Sequence, residues 1–265
     1  MTTNNPNRAM DTKNRILKIF VVITYVGMVI VNYLANSLPI NDRTTGEVSN
    51  AYPNLFAPAG LTFSIWGLIY LLLAGYVVYQ FTKRGEEQKK LLQKVNIYFM
   101  ATSVANICWV FAWHYDFMGL SLLIMAALLF FLIRIADILR DEPLTLQDKL
   151  FVHAPFSVYF GWITVAAIAN ATVFLVSIGW DGFGMADHVW ASIIIVIGAT
   201  IGILRMLKDK NAIYGFVLIW AYLGILIKHV SDTGYGCEYT SVIVTVIGCI
   251  VLFGFFVTRI LLKTK

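Results

Sequence analysis

Hydrophobic residues dominate eight stretches of this chain, and short polar segments separate them. The stretches lie at about 15–35, 61–82, 95–114, 117–138, 151–178, 188–207, 212–229 and 240–262. A helix needs roughly 20 apolar residues to cross a bilayer, and each stretch comes near that length. Because backbone groups in hydrocarbon must pair within their own segment, these stretches predict helices. We therefore expect an all-α fold, a polytopic membrane helix bundle of about eight transmembrane helices.

Composition points to the same class of protein. Hydrophobic residues make up 59% of the chain and charged residues only 13%, whereas soluble domains have roughly 45–50% and 25%. A net charge of +5 could suggest nucleic acid as a partner. However, the basic residues collect at the ends of the apolar stretches rather than along one face. We expect a lipid bilayer as the partner and no nucleic acid.

The basic residues also predict the orientation. Eight spans place both termini on one side, and that side receives 18 of the 20 Lys and Arg residues, all except Arg43 and Lys228. The positive-inside rule then predicts cytoplasmic termini in an integral protein of the cell (plasma) membrane. Residues 1–14 are polar, and we expect them to be disordered. The apolar run that follows is longer than that of a signal peptide, which predicts a retained first span.

Aromatic and amide side chains recur within three of the spans. The candidates are Phe63, Trp66 and Tyr70 in span two, Asn106 and Trp109 in span three, and Trp162 and Asn170 in span five. Spacings of three, four and eight residues place each group on one helix face. Taken singly, each Asn is better explained as a helix–helix hydrogen bond. An aromatic belt at the membrane surface would explain Phe63.

Taken together, these residues indicate a pocket shared by three helices, because amides and indoles in hydrocarbon need partners or a cavity. No charged residue accompanies them, which favours a neutral or aromatic ligand. Pro58 and Gly60 precede span two and are typical of a helix start. The loop at 36–60 that leads to them is long, and its prolines and aromatic residues argue against disorder. It could be a lid over the pocket or a plug that only seals the bundle.

These motifs resemble those of the TspO/MBR family, the tryptophan-rich sensory proteins or translocator proteins. The resembling features are Pro58, Trp66 and Tyr70 in span two, Asn106-Ile107-Cys108-Trp109 in span three, and Trp162 eight residues before Asn170 in span five. The similarity covers about residues 15–180, a core of five spans, and residues 181–265 form a three-span C-terminal extension. The family's helix-five proline lies four residues before the Trp, whereas Pro155 lies seven before Trp162.

The resemblance implies a bundle that binds tetrapyrroles such as protoporphyrin IX or haem, or sterol-like molecules, as a sensor or carrier. Phe63, Trp66, Tyr70, Asn106, Trp109, Trp162 and Asn170 become ligand-binding candidates, with Pro58 and Gly60 at the lid and helix start. The aromatic rings would stack on a flat ligand and the amides would bind its polar edges. No cofactor is required, although a bound porphyrin or haem is compatible, and the resemblance leaves a homodimer open.

Other function classes stay open. The main alternative is an uncoupled transporter or permease for a small hydrophobic or amphipathic solute. Ion coupling is disfavoured because the nearest charged candidates, Arg134, Asp137 and Lys228, lie near span ends. We expect no enzyme, since the spans carry no nucleophile–base pair or clustered carboxylates, although porphyrin breakdown has been proposed for the resembled family. His114, His188 and His229 lie at span ends, but without the spacing of a metal site.

Overall fold

The structure, a computed structural model, describes residues 6–38, 40–82 and 85–263. Eight of its helical segments are long and apolar enough to cross a membrane, which confirms the predicted number and the all-α fold. They comprise Thr12–Ser37, Gly60–Tyr79, Glu86–His114, Met118–Arg140, Leu146–Ser177, Asp187–Asp209, Ala212–Val230 and Thr240–Lys263. The predicted spans each fall on one of these segments.

The helices are named in chain order. They are α1 (Pro6–Ser37), α2 (Thr45–Asn50), α3 (Ile65–Tyr79), α4 (Glu86–His114), α5 (Met118–Arg140), α6 (Leu146–Asp148), α7 (Ala154–Ser177), α8 (Asp187–Asp209), α9 (Ala212–Val230) and α10 (Thr240–Lys263). A 3-10 turn, Gly60–Ser64, leads into α3, and a π turn, Lys149–His153, joins α6 to α7. The loops after α1, α4, α7 and α9 lie at one end of the bundle. We call this end the lid face, after the loop at 36–60, and we call the opposite end, where most Lys and Arg residues lie, the basic face.

Two features differ from the sequence-based expectation. Helix α1 begins at Pro6, so residues 6–14 are helical rather than disordered, and residues 1–5 lie outside the described residues. The fifth span contains the π turn just before Pro155. There the Ala154 amide donates to the Lys149 carbonyl, five residues back. Proline has no N–H to continue the regular ladder, so a wider turn at this point suits the start of α7.

Three spans form the interior of the bundle. In the most apolar stretch of α4, of α6–α7 and of α9, half of the residues are buried, against 17–33% in the same stretch of the other five spans. Helix α4 packs against α1 and α5, whereas α7 packs against α3, α5 and α9. Helix α10 covers α8 and α9. The less buried helices therefore face the lipid, whereas α4 and α7 lie inside the bundle between other helices.

The last three helices join the core through α7 and α9. A Cβ atom on Gly161 would lie 2.8 Å from the Cβ of Val217, so the two helices approach as closely as a glycine permits. Asn211 donates to the Ser157 hydroxyl over 2.7 Å, and the Tyr214 hydroxyl donates to Thr164 over 3.0 Å. Small residues and interhelical hydrogen bonds are the usual means of helix association in lipid. The C-terminal helices are thus an integral part of the bundle.

An ion-pair network joins α5 to α8 at the basic face. Arg205 donates to Asp137 over 2.9 Å and to Asp209 over 2.6 Å, and Arg140 pairs with the same two carboxylates. Both arginines lie between the two carboxylates, so each of these four charges has two partners of opposite sign. Asp137, one of the sequence candidates for ion coupling, is therefore part of a structural link.

Candidate functional site

The first half of the lid (residues 36–60) is fixed to the end of α4. Thr44 caps α2 in a reciprocal pair with Glu47. The Trp113 indole donates to the Thr45 carbonyl over 3.2 Å, and the Asn41 amide donates to the His114 carbonyl over 2.9 Å. This half of the lid is a folded cover with its own capped helix.

An ion pair adds to this attachment. Arg43 pairs with Asp116, and the Tyr52 hydroxyl donates to the same carboxylate over 3.0 Å. The hydrogen bond from Arg43 holds the pKa of Asp116 below its usual value, with partial burial opposing it. The same bond raises the pKa of Arg43. Both groups are partly exposed, so the pair contributes at most about 1 kcal/mol.

The second half of the lid is attached to α9 and to the loop after it. His229 Nε2 lies 2.9 Å from the Leu55 carbonyl oxygen, and the Tyr235 hydroxyl donates to the Asn54 carbonyl over 3.2 Å. The Ala59 amide donates to the Gly224 carbonyl over 2.9 Å. Nearby, the Trp220 indole donates to the Thr62 carbonyl over 3.0 Å. The C-terminal helices therefore hold the part of the lid that leads into α3.

A cavity of about 600 Å³ lies under the lid between α1 and α3. Its wall includes Asn32, Tyr33, Asn36, Ser37, Thr44, Thr45, Gly60, Phe63, Trp66, Gly67, Tyr70 and Trp109. A smaller compartment of about 50 Å³ continues towards α7 and is lined by Thr45, Pro58, Phe63, Trp66, Trp109, Trp113, Trp162 and Asn170 among others. We call the two compartments together the lid cavity. Their lining contains no Asp, Glu, Lys, Arg or His side chain.

Four aromatic rings form a continuous wall between the compartments. Trp66 stacks on Tyr70 with ring centroids 5.6 Å apart and meets Trp162 edge-on at 6.2 Å. Phe63 meets Trp162 edge-on at 5.8 Å. Offset stacks and edge contacts are the favourable arrangements of such rings. The wall offers flat apolar surfaces from two helices.

Two buried donors in this wall have no hydrogen-bond partner within the described part of the chain. They are the Tyr70 hydroxyl and the Trp162 indole nitrogen. A buried polar group without a partner costs about 1–3 kcal/mol. Such groups call for an explanation, and a ligand that accepts hydrogen bonds would supply one.

The two asparagines bond to protein instead. Asn170 Oδ1 accepts from the Trp109 indole over 2.9 Å, and its amide donates to the Ser121 hydroxyl over 2.9 Å. Asn106 Oδ1 accepts from Asn32 over 2.6 Å. Its amide lies 3.5 Å from the Tyr159 hydroxyl. Each amide therefore joins helices, as expected for an Asn taken singly.

Eight of the nine sequence candidates line the lid cavity: Pro58, Gly60, Phe63, Trp66, Tyr70, Trp109, Trp162 and Asn170. Asn106 does not. It is fully buried behind the wall, where Asn32 separates it from the cavity. Phe63 is half-buried and packs on Trp162, so it belongs to the wall rather than to an aromatic belt.

Sequence reasoning missed the contribution of α1 to the wall. Asn32 and Asn36 are four residues apart and line the cavity together with Tyr33. Amides in a helix that is otherwise apolar were the signal that could have identified them. Trp113 was also missed, and it stacks on Trp109 with centroids 5.4 Å apart.

The side chains that line the lid cavity are of the kinds that suit the binding of a small molecule. Aromatic faces, hydroxyls and amides can hold a flat molecule and orient its polar edge. Arg43 and Asp116, the ion pair that holds the lid, do not belong to this lining. Within residues 6–38, 40–82 and 85–263, no three His, Cys, Asp or Glu side chains lie close enough together to hold a metal ion.

Comparison with known proteins gives the family. A family model described as TSPO-like protein matches residues 18–259. The match extends beyond the five spans in which we found the resemblance and includes α8, α9 and α10. Searches among curated proteins and among solved structures gave no significant match. With nearly its whole length matched and eight apolar helices, the chain belongs to the TSPO-like family and is an integral membrane protein of the TspO type.

Proposed function

We propose that the lid cavity binds a flat, largely apolar ring system of the tetrapyrrole class and that the protein acts as a sensor or carrier of this ligand. The observation that carries the proposal is the wall of Trp66, Tyr70 and Trp162, with its two buried donors lacking partners. Ring faces provide stacking surface, and the free hydroxyl and indole N–H provide donors for an acceptor on the ligand.

Size and polarity support this ligand class. The main compartment of about 600 Å³ falls within the roughly 300–1,000 Å³ usual for small-molecule sites. Asn36, Ser37 and Thr44 line the same compartment near the membrane surface, where hydroxyl and amide groups suit the carboxylates of protoporphyrin IX. The apolar ring would lie deeper, against Trp66 and Tyr70. A sterol-like molecule shares the flat apolar shape but lacks the ring acceptors.

The bilayer itself is the expected route of entry. Helices α1 and α3 make few contacts with each other, and the cavity lies between them. Tyr33 lines the cavity and is 69% exposed, so the opening reaches the surface that faces lipid. An apolar ligand dissolved in the membrane would reach the wall without crossing the lid.

The positive-inside rule supports an orientation with the basic face and both termini in the cytoplasm, which would place the lid outside a plasma membrane. The alternative, an uncoupled permease, would need a path to the basic face. Below the cavity, Tyr76, Phe99 and Phe156 pack edge to face with centroids 4.8–5.4 Å apart. This aromatic layer opposes passage through the bundle, so binding is the better supported function.

The test is titration of the purified protein with protoporphyrin IX, followed by the absorption of the porphyrin itself so that loss of a tryptophan does not affect the readout. Trp66→Leu should weaken binding about ten-fold or more through lost stacking surface. Tyr70→Phe should weaken it roughly three- to ten-fold through one lost hydrogen bond. Tyr98→Phe is the matched control, because Tyr98 packs between α4 and α5 away from the cavity.

The outcomes separate the alternatives. Absence of saturable binding by the wild type would overturn the tetrapyrrole assignment, and equal affinity in all four proteins would remove the ligand from this cavity. A porphyrin gradient across proteoliposomes that collapses only when the protein is present would support the permease instead.

A further inference from the structure

A second cavity lies on the lid face, on the far side of the lid from the cavity already described. Its volume is about 480 Å³. The lid, the end of α7, the loop before α8 and the loop after α9 enclose it. The lining residues used below are Trp180, Asp181, Asp187, Trp190, Tyr235 and Tyr239. We call this space the acidic aromatic cavity.

Five of its lining side chains are large aromatic residues, and besides Phe56 they form two contacting pairs. Trp180 and Trp190 meet edge to face with centroids 4.5 Å apart. Tyr235 and Tyr239 do the same at 5.4 Å. All four are half-buried, and Gly182 packs beneath Trp190. One pair comes from the loop after α7 and the first turn of α8 and the other from the loop after α9, so the fold brings four electron-rich rings to one concave site.

Residues of an aromatic belt would be found at this depth of the membrane too. Belt residues are spread around the rim of a bundle and face lipid. These four instead line one concave space, together with residues of the lid. The belt therefore does not explain their arrangement.

The charged residues of the cavity are all acidic. Asp181 and Asp187 belong to its lining, which includes no Lys, Arg or His. One oxygen of Asp181 accepts the Phe183 amide over 3.1 Å, whereas Asp187 lies in the first turn of α8. The pKa of the Tyr239 phenol is raised by partial burial and by its acidic neighbours Glu238 and Asp187.

The wider lid face has the same sign of charge. The loops on this face and the adjoining helix ends carry Asp42, Glu47, Asp116, Asp181, Asp187, Asp232 and Glu238, with Arg43 and Lys228 as the only Lys or Arg residues. Arg43 is paired with Asp116, and the ammonium of Lys228 lies 5.9 Å from the centre of the Tyr235 ring. The field of this face attracts cations and repels anions.

We propose that the acidic aromatic cavity binds an organic cation, either a quaternary ammonium or a protonated amine with apolar substituents. The ring faces attract the positive charge, the carboxylates neutralise it, and the apolar lining covers its alkyl groups. A simple metal ion does not fit this chemistry, because four aromatic rings supply no ligand oxygen or nitrogen of the required kind. This site is separate from the lid cavity, whose lining is uncharged.

The test compares a cation with its uncharged equivalent. Choline and 3,3-dimethylbutan-1-ol have the same shape, but carbon replaces the charged nitrogen in the alcohol. Both would be titrated against the full-length protein in maltoside micelles, with ligand NMR as the readout. We expect saturable choline binding that is at least ten-fold tighter than binding of the alcohol.

Variants locate the binding. Trp190→Leu should weaken choline binding roughly two- to thirty-fold, the range of one cation–π contact. Asp187→Asn should weaken it up to about five-fold and leave the alcohol unaffected. Asp232→Asn is the matched control, because Asp232 lies on the same face outside the lining. Protoporphyrin titration of each variant verifies that the bundle is intact.

Two results would overturn the proposal. One is equal affinity for choline and the alcohol, or no saturable binding of either. The other is a choline affinity that Trp190→Leu and Asp187→Asn leave unchanged while porphyrin binding is normal.

Discussion

The indole N–H of Trp109 donates a 2.9 Å hydrogen bond to the side-chain oxygen of Asn170, and this bond joins the third span to the fifth at the wall of the lid cavity. The Asn170 amide donates in turn to Ser121 on the fourth membrane span. One asparagine thus connects three helices that also shape the site. Loss of the bond should affect both the stability of the bundle and the position of the wall.

The first prediction concerns this bond. Trp109→Phe and Asn170→Ala should each lower the free energy of unfolding by about 1 kcal/mol or more, and the double mutant should show a coupling energy of roughly 0.6–1.7 kcal/mol. Reversible unfolding in detergent micelles would give all four corners of the cycle. Additive effects, with a coupling energy near zero, would contradict the bond.

The second prediction uses Trp162 as a contrast. Its indole nitrogen is buried without a partner, so Trp162→Phe removes an unpaired donor as well as some packing. We expect a change in unfolding free energy within about 1 kcal/mol, smaller than that of Trp109→Phe, because no protein hydrogen bond is lost. Porphyrin affinity should fall in both variants. Destabilisation equal to that of Trp109→Phe would mean that the Trp162 nitrogen has a partner in the protein.

The third prediction concerns the contact between α9 and the start of α3. A Cβ atom added to Gly224 would overlap the Thr62 side chain, which is buried. Gly224→Ala should therefore lower the free energy of unfolding by about 1–3 kcal/mol and increase amide exchange in residues 54–62.

Gly248 on α10 is the matched control for that substitution. A Cβ atom there meets nothing within 4 Å, so Gly248→Ala should be neutral or stabilise the helix by up to about 1 kcal/mol. Equal effects of the two substitutions would show that α9 does not hold the lid closely.

The fourth prediction is a pH dependence of the lid attachment. The pKa of Asp116 is lowered, chiefly by its hydrogen bond from Arg43. A lowered pKa in the folded state stabilises the protein above the unfolded pKa of about 3.9, and this contribution disappears as the pH falls through the folded value.

The difference in unfolding free energy between wild type and Asp116→Asn is the quantity to measure. It should be at most about 1 kcal/mol and constant from pH 8 to 5, and it should begin to fall near the unfolded pKa of about 3.9 and vanish once the pH is below the lowered folded pKa of Asp116. The comparison cancels Glu47, whose pKa is also lowered through its bonds to Thr44. A difference that grows on acidification would reverse the assigned sign.

Hydropathy and charge predicted the number of spans because each span is defined by its own residues. The same holds for the faces of α3 and α7, where spacings of four and eight residues placed Trp66 with Tyr70 and Trp162 with Asn170. The predicted start of α1 was wrong because polarity alone does not distinguish a solvated helical turn from disorder. The position of Pro155 could be read, but not the π turn that accommodates it.

Partners distant in sequence could not be predicted. His229 meets the Leu55 carbonyl across 174 residues, and nothing near either residue indicates the other. Asn106 was placed in the pocket because its helix face was correct, yet Asn32 lies between it and the cavity. A helix face gives the direction of a side chain, whereas its partner depends on which helix packs there.

The attachment of the lid to α9 has a consequence for the architecture of the whole bundle. The lid and the turn that follows it are attached at two places, one at the end of α4 and the other on α9, beyond the first five spans. A chain that ended after α7 would keep the aromatic wall but lose the attachment to α9. In this protein the last three helices therefore brace the lid from outside the first five spans, so the shape of the site depends on both parts of the polypeptide.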